Sequence, residues 1–169
     1  MAGDAGPDDG KKGGVYPCSQ VRPYHCRCPI MRTSSVHSLV PAVWDTLLAA
    51  MALRHVTPTI PNRSAGRVGD TAMVMLRKWN GHQLSHYFNC GATITGPRAD
   101  EERIRGVLLA QHMRLAGDTI AVVVHFSGGA TPINSGSSGT PAQCTSTGRG
   151  ESEMLDEVIQ RVGGTGKRM

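Results

Sequence analysis

The dipeptide Asn80-Gly81, set between two segments of strand-like sequence, constrains the fold of this chain more than any other feature. A two-residue Asn-Gly turn supplies the positive backbone φ that a type I′ hairpin requires. The segment before it, TAMVMLRKW, predicts a strand with Ala72, Val74 and Leu76 on one side. The segment after it, HQLSHYFNCGATITG, predicts one or two returning strands. The region is therefore expected to be antiparallel β-structure.

Helical and strand patterns are predicted on both sides of this hairpin. A helix is predicted from about Pro41 to His55, and a second over PRADEERIRGVLLAQHMRLAG, where acidic residues occupy the first turn and Gly117 ends the pattern. The β-branched run DTIAVVVHF is typical of a buried strand. The segment ESEMLDEVIQRVGG predicts a closing helix capped by Gly163. This order predicts an α+β fold, a small mostly antiparallel sheet covered on one face by two helices, with a long basic N-terminal arm.

The chain length favours a single domain with an extension. Its 169 residues exceed the usual domain of about 100 to 150 residues, and its 21 Gly and 10 Pro indicate long loops around a small core. We expect a disordered tail over residues 1–14 and a basic arm with one helix over 15–66. The compact domain is expected over 67–166, with an inserted Gly/Ser-rich loop at 127–150.

The charge distribution favours an anionic partner. The net charge is +5. The segment from Lys11 to Gly69 contains eight Lys and Arg residues but one acidic residue, Asp45, and such a basic segment attracts polyanions. Arg and Lys neutralise phosphates, an indole stacks on bases, and Asn and His hydrogen-bond to sugar or phosphate oxygens. The candidate RNA-contact residues are Arg22, Arg27, Arg32, Arg77, Lys78, Trp79, Asn80, His82 and Arg98. The alternative is that the hairpin end is merely solvated.

No run approaches the roughly 18 apolar residues that span a bilayer, so no membrane partner is expected.

The cysteines and histidines give weaker patterns. Five cysteines without a secretory signal favour reduced thiols, and the pair Cys26-x-Cys28 is too short for the usual zinc knuckle. The metal-like cluster is Cys18, His25, Cys26, Cys28 and His37. A small zinc- or thiol-dependent module that uses this cluster or Cys90 stays open as an alternative, although Cys90 has no nucleophile signature around it and reads as a buried strand cysteine.

The histidines of HQLSH lack the Glu of a metalloprotease helix, since Gln83 takes its place. On a strand, His82 and His86 would lie over about 10 Å apart at about 3.3 Å per residue. Neither SGGATP nor GTGK matches a phosphate-binding loop. The sequence therefore favours a protein that is not an enzyme and has no metal, cofactor or small-molecule substrate.

The order of elements resembles the Sui-type domain of eukaryotic translation initiation factor one. That family has a basic strand, an R-N-G-R-K-like turn, a strand, a helix, a hairpin ending in a glycine turn, and a terminal helix. Arg77, Lys78, Asn80, Gly81 and His82 fall at its basic turn, and Gly128 and Gly129 fall near its second glycine turn. A family of mitochondrial large-subunit ribosomal proteins is built on this domain, and its arm motif is similar to MRTSSVHSLVPAVWD, with Arg32, Thr33, Ser35, Leu39, Pro41 and Val43 in comparable order.

The resemblance covers residues 30–165. It implies a structural, non-catalytic component of the mitochondrial ribosome in the large subunit, with ribosomal RNA and neighbouring ribosomal proteins as partners, located in the matrix. A free, cytoplasmic RNA-binding protein of the initiation-factor type is the alternative. The segment from Met31 is also typical of a mitochondrial presequence, with translation starting at Met31, and this reading stays open beside a basic structural helix.

Overall fold

The computed structural model of the chain describes residues 31–37, 40–117, 119–133, 141–162 and 167–168. The strands are β1 (Met31–His37), β2 (Arg67–Leu76), β3 (Lys78–Trp79), β4 (His82–Gln83), β5 (Phe88–Asn89), β6 (Arg103–Arg114), β7 (Thr119–Thr131), β8 (Ala142–Ser146) and β9 (Lys167–Arg168). The helices are α1 (Val40–Leu53), α2 (Arg98–Glu101) and α3 (Arg149–Val162), with a 3₁₀ turn at Leu84–His86. The predicted tail at residues 1–14 lies outside the described residues.

The strands form an antiparallel sheet in the order β4-β3-β2-β6-β7-β1-β9. Its centre is the long β6–β7 pair, whose register runs from Arg103 opposite Thr131 to Arg114 opposite Ile120. β8 pairs with the last residues of β7, beyond the end of β1, and β5 pairs with β8. The α+β fold class is therefore confirmed.

One face of the sheet is covered by α1 and α3. The inward side chains of β6 and β7, including Ile104, Leu108 and Phe126, are buried with Leu47 of α1 and Met154 of α3 in one apolar core. The bounds of α1 and α3 agree closely with the helices predicted at Pro41–His55 and at the end of the chain. The closing helix was expected in the cover and forms it as α3, whereas α1, which was predicted as part of the arm, takes the place of the second helix expected in the compact domain.

The second predicted helix, over residues 97–117, is wrong. Only one helical turn forms, at Arg98–Glu101, and Arg103–Arg114 is a strand whose residues alternate between buried and more exposed positions. Pairing with β2 on one side and β7 on the other satisfies this backbone, so tertiary context overrides the helical spacing of its aliphatic residues. Gly106 disfavours a helix as well, and a Cβ there would lie 2.5 Å from Cε of Met75.

The Gly/Ser-rich loop is shorter than the predicted 127–150. Ser127–Thr131 continues β7, Ala142–Ser146 forms β8, and α3 already begins at Arg149. The register places Gly128 opposite Cys144, so glycines at the start of this segment are strand residues. A low-complexity composition predicted a loop because these small residues carry no hydrophobic alternation.

The last part of the predicted arm belongs to the sheet and its helical cover. β1 pairs with β7 over seven residues, and Val36 of β1 is fully buried beside Val43 and Leu47 of α1. The sheet therefore begins at Met31 and its apolar core includes Val36, well before residue 67. No helix among the described residues is long and apolar enough to cross a membrane.

Candidate nucleic-acid interface

The Asn80-Gly81 hairpin forms as predicted. Asn80 has φ 47° and Gly81 has φ 82°, both in the left-handed region, and the turn joins Trp79 to its partner His82. Nothing lies within 4 Å of a Cβ built on Gly81, so glycine is favoured there by the backbone angle rather than by space. Arg77, the exposed residue between β2 and β3, also has a positive φ, of 59°. The hairpin thus carries exposed Arg77, Lys78 and His82 outward.

Trp79 anchors the hairpin to the core. Its ring centroid lies 4.9 Å from that of Tyr87 and 4.9 Å from that of Phe126, both of which are buried. Such tilted aromatic pairs are favourable beyond their buried area. The indole is half-buried, so these contacts position the turn, and its contact with RNA stays a prediction.

The predicted wide separation of His82 and His86 on a strand is wrong. The 3₁₀ turn Leu84–His86 folds the chain back directly after β4, and the two imidazoles stack with centroids 4.5 Å apart and planes 14° apart. The Leu84 N–H donates to the Arg77 carbonyl at 3.0 Å, which closes the start of this turn. Two strand residues followed by a turn, rather than a continuous strand, bring the rings together.

His86 is held by groups from α3. Its Nδ1 lies 3.0 Å from Nη1 of Arg149, and its Nε2 lies 3.2 Å from Oε1 of Glu153. A guanidinium has only N–H groups to offer, so Nδ1 accepts from Arg149 and Nε2–H donates to Glu153. These two contacts hold the imidazole ring of His86 and turn the Arg149 side chain toward the hairpin.

Behind His86, a buried tyrosine closes the site. The Tyr87 hydroxyl donates to Oε2 of Glu153 at 3.2 Å, and burial followed by the nearby Glu153 carboxylate raises the pKa of Tyr87 to about 12. The Arg54 guanidinium at the end of α1 donates to the Glu153 carbonyl at 2.7 Å. Both carboxylate oxygens of Glu153 are therefore hydrogen-bonded to residues next to the hairpin. Its backbone carbonyl connects α3 to the end of α1.

His82, His86 and Arg149 lie on the wall of a cleft of about 780 Å³ between the hairpin and the start of α3. Its lining residues are Lys78, Gly81, His82, Gln83, Ser85, His86, Thr147 and Arg149. None of them is acidic, and Lys78 takes part in no ion pair among the described residues. We call this the cationic cleft. Thr147 closes its floor, because its hydroxyl donates to the His86 carbonyl at 2.7 Å and its N–H to the Tyr87 carbonyl at 2.9 Å.

A disulfide joins the two walls next to the cationic cleft. Cys90 and Cys144 are bonded, and both are almost buried. The register explains the pairing, since Phe88 faces Ser146 and Asn89 faces Thr145, so the next positions are directly opposed. The expectation of reduced thiols is therefore wrong for this pair. Cys90 follows the 3₁₀ turn and Cys144 precedes α3, so the bond holds together the two segments that bear His86 and Arg149.

The other predicted contact residues that the structure describes do not line the cleft. Arg32 is exposed on β1, and Arg98 forms a 2.9 Å ion pair with Glu102. Asn80 is half-buried and its Nδ2 has no hydrogen-bond partner. Arg22 and Arg27 lie outside the described residues. The cleft thus combines the predicted Lys78 and His82 with Arg149, which the sequence reasoning missed because 63 residues separate it from His86.

The predicted metal-like cluster cannot be placed, because Cys18, His25, Cys26 and Cys28 lie outside the described residues. Within the described part of the chain, no three His, Cys, Asp or Glu side chains come together as a metal site. The stacked His82 and His86 have one carboxylate near them, Glu153, which is already bonded to His86 and Tyr87.

No known family model matches this chain. No curated protein matches it significantly either. The resemblance to the Sui-type domain consequently stays a prediction, and the functional argument depends on the cationic cleft itself.

Proposed function

We propose that the protein is a non-catalytic component of a ribonucleoprotein particle that contacts RNA through the cationic cleft. The observation that supports this proposal most is the convergence of Lys78 and Arg149 on a cleft whose lining contains no carboxylate. The resemblance favours the mitochondrial large ribosomal subunit as the particle. Neighbouring ribosomal proteins would then be further partners.

The geometry suits the phosphate backbone of RNA. Arg149 uses one N–H on His86 and keeps further guanidinium donors for a phosphate, while Lys78 adds a flexible point charge from the opposite wall. Exposed Arg77 lies one residue from Lys78 and extends the positive surface along the hairpin. Charges so arranged bind a polyanion by releasing its counterions.

The cleft does not favour reading of the bases. No Phe, Tyr or Trp lines it, and the nearby Trp79 packs into the core. Contacts with the base edges carry sequence preference, whereas phosphate contacts carry none directly. We therefore expect affinity to vary little with RNA sequence and strongly with salt.

The salt dependence of RNA binding tests this function. The full chain is titrated with a duplex RNA and a single-stranded RNA at several salt concentrations, beside the double variant Lys78→Ala/Arg149→Ala. Each lost phosphate contact lowers the log-log salt slope by about 0.7 to 0.9. The matched control is Arg63→Ala, an exposed arginine in the turn that leads into β2, at the opposite end of the sheet.

The control should retain the slope of the wild-type protein, and the double variant should lose part of it. An unchanged slope in the double variant would mean that the cleft is only a solvated turn. The particle itself is tested by sedimentation of source extracts at moderate salt. Comigration with the large ribosomal subunit supports the ribosomal assignment, and weak association with the small subunit alone supports the initiation-factor alternative.

A further inference from the structure

The face of the sheet opposite α1 and α3 has no cover among the described residues. Its outward positions alternate with buried ones along β6, over residues 73–76 of β2 and over residues 122–127 of β7, whereas Ala121 near the start of β7 is buried on this face as well. We call this surface the open face. It is formed by Val74 and Leu76 of β2, Arg103, Arg105, Val107, Leu109, Gln111 and Met113 of β6, and Val123, His125 and Ser127 of β7.

The open face carries aliphatic side chains in register. Val74 is 61% exposed and lies opposite Arg105, while Leu76 is 50% exposed and lies opposite Arg103. On the next strands Val107, Leu109 and Val123 are half-buried. Each of these aliphatic side chains lies opposite a polar or charged residue of a neighbouring strand, and they adjoin along the strands as the pairs Val74–Leu76 and Val107–Leu109. Exposed apolar side chains grouped in this way mark an interaction site more often than a scattered leucine does.

The charged side chains named on this face are both arginines, and the register places Asp70, the one carboxylate of β2, β6 and β7, opposite the buried Leu108. The three strands β1, β6 and β7 contain no Asp or Glu at any position. Arg103 and Arg105 stand beside the aliphatic stripe, and neither guanidinium has an ion pair with a described residue. The surface therefore offers apolar area bordered by unpaired positive charge.

We propose that the open face docks a protein partner through an acidic amphipathic helix, whose apolar stripe covers Val74, Leu76 and Val107 and whose flanking carboxylates pair with Arg103 and Arg105. A helix of about 10 Å diameter spans two strands that lie about 4.8 Å apart, which matches the β2–β6 pair. Complementary charges at the rim of an interface fix the register and exclude wrong partners.

Two other occupants fit less well. A second copy of the chain would set arginines against arginines, because the face has no carboxylate on its central strands. RNA would find no Phe, Tyr or Trp on the face for stacking, and the aliphatic residues would gain little from phosphate. The docking proposal does not depend on the proposed RNA contact, since the cationic cleft involves different residues.

Two synthetic helical peptides test the docking. Both carry the same leucine stripe, and one has Glu and the other Lys at the flanking positions. Fluorescence anisotropy with the full chain should show binding of the Glu peptide about tenfold tighter than that of the Lys peptide. Arg105→Glu and Val74→Glu should each weaken the Glu peptide by about tenfold or more, since both place a carboxylate against its acidic flank.

The matched control is Leu53→Glu, at a residue 53% exposed at the end of α1 on the opposite side of the sheet. It should leave the peptide affinity unchanged, and thermal melting should show that all three variants remain folded. Equal binding of the two peptides, or no binding of the Glu peptide, would overturn the proposal. So would a dimer in sedimentation that Val74→Glu dissociates, or RNA binding that Arg105→Glu abolishes.

Discussion

The two faces of the sheet carry opposite kinds of residue on the same strands. Along β6, Ile104, Leu108 and Ala110 are buried under the helices, while Arg105 on the open face is exposed and Leu109 is half-buried. Successive side chains of a strand point to opposite faces, so neighbours in sequence serve different purposes. The covered face supplies the free energy of folding, and we infer that the open face and the cationic cleft supply the contacts with partners.

Substitution of two adjacent leucines of β6 should give the largest difference in free energy of unfolding between the two faces. Leu108→Ala should reduce the free energy of unfolding by about 2–5 kcal/mol, since it leaves a cavity in the packed core. Leu109→Ala removes the same atoms from the half-buried open face and should cost about 1 kcal/mol or less. Urea unfolding of both variants measures the difference, and equal losses would show that the open face is covered in the folded protein.

The disulfide is expected to give the next largest effect. Cys90 and Cys144 belong to the same buried core as Leu108, and their bond closes a loop with a sequence separation of 54. The double variant Cys90→Ala/Cys144→Ala should lose about 2–4 kcal/mol of stability. A dithiol reductant should lower the stability of the wild-type protein by a similar amount and leave the variant unchanged. Wild-type stability that is indifferent to the reductant would contradict the bond.

A smaller effect is predicted for His112, which lies on the covered face. Burial lowers the pKa of His112, and its ring packs edge-on against Trp44 with centroids 6.2 Å apart. The unfolded chain binds the proton more readily, so the stability contribution is complete above pH 6.5 and is lost as the pH falls through the folded pKa. Urea midpoints compared from pH 7.5 downward should fall less steeply in His112→Leu. Parallel curves would assign the acid sensitivity to other groups.

Local chemistry made several parts of the molecule predictable. The dipeptide Asn80-Gly81 favours a tight turn whatever surrounds it. The amphipathic pattern of α3 predicts a helix with one buried face, whatever the elements it packs against. The strand β6 was mistaken for a helix because Ile104 and Leu108 satisfy both periods, and only the long-range pairing with β2 and β7 decides between them. Predictions based on a single segment fail where two distant segments determine the structure.

The same limit applies to the candidate site. Lys78 and His82 stand out because they flank a recognisable turn, whereas Arg149 shows no local pattern and reaches the cleft only through the β7–β8 connection and the start of α3. The Cys90–Cys144 pair is likewise a product of strand register. Trp79 was a candidate because an aromatic residue beside a basic turn can stack on a base; the local pattern gave no sign of its packing against Tyr87 and Phe126, and its RNA contact stays a prediction.

The salt dependence of RNA binding, measured side by side for Lys78→Ala/Arg149→Ala and Arg105→Glu, tests the central claim most directly. We predict that the cleft variant loses about 1.4 to 1.8 units of log-log slope, from two phosphate contacts, while the open-face variant keeps the slope of the wild-type protein. An unchanged slope in the cleft variant, or an equal loss in both, would contradict the assignment of RNA to the cationic cleft.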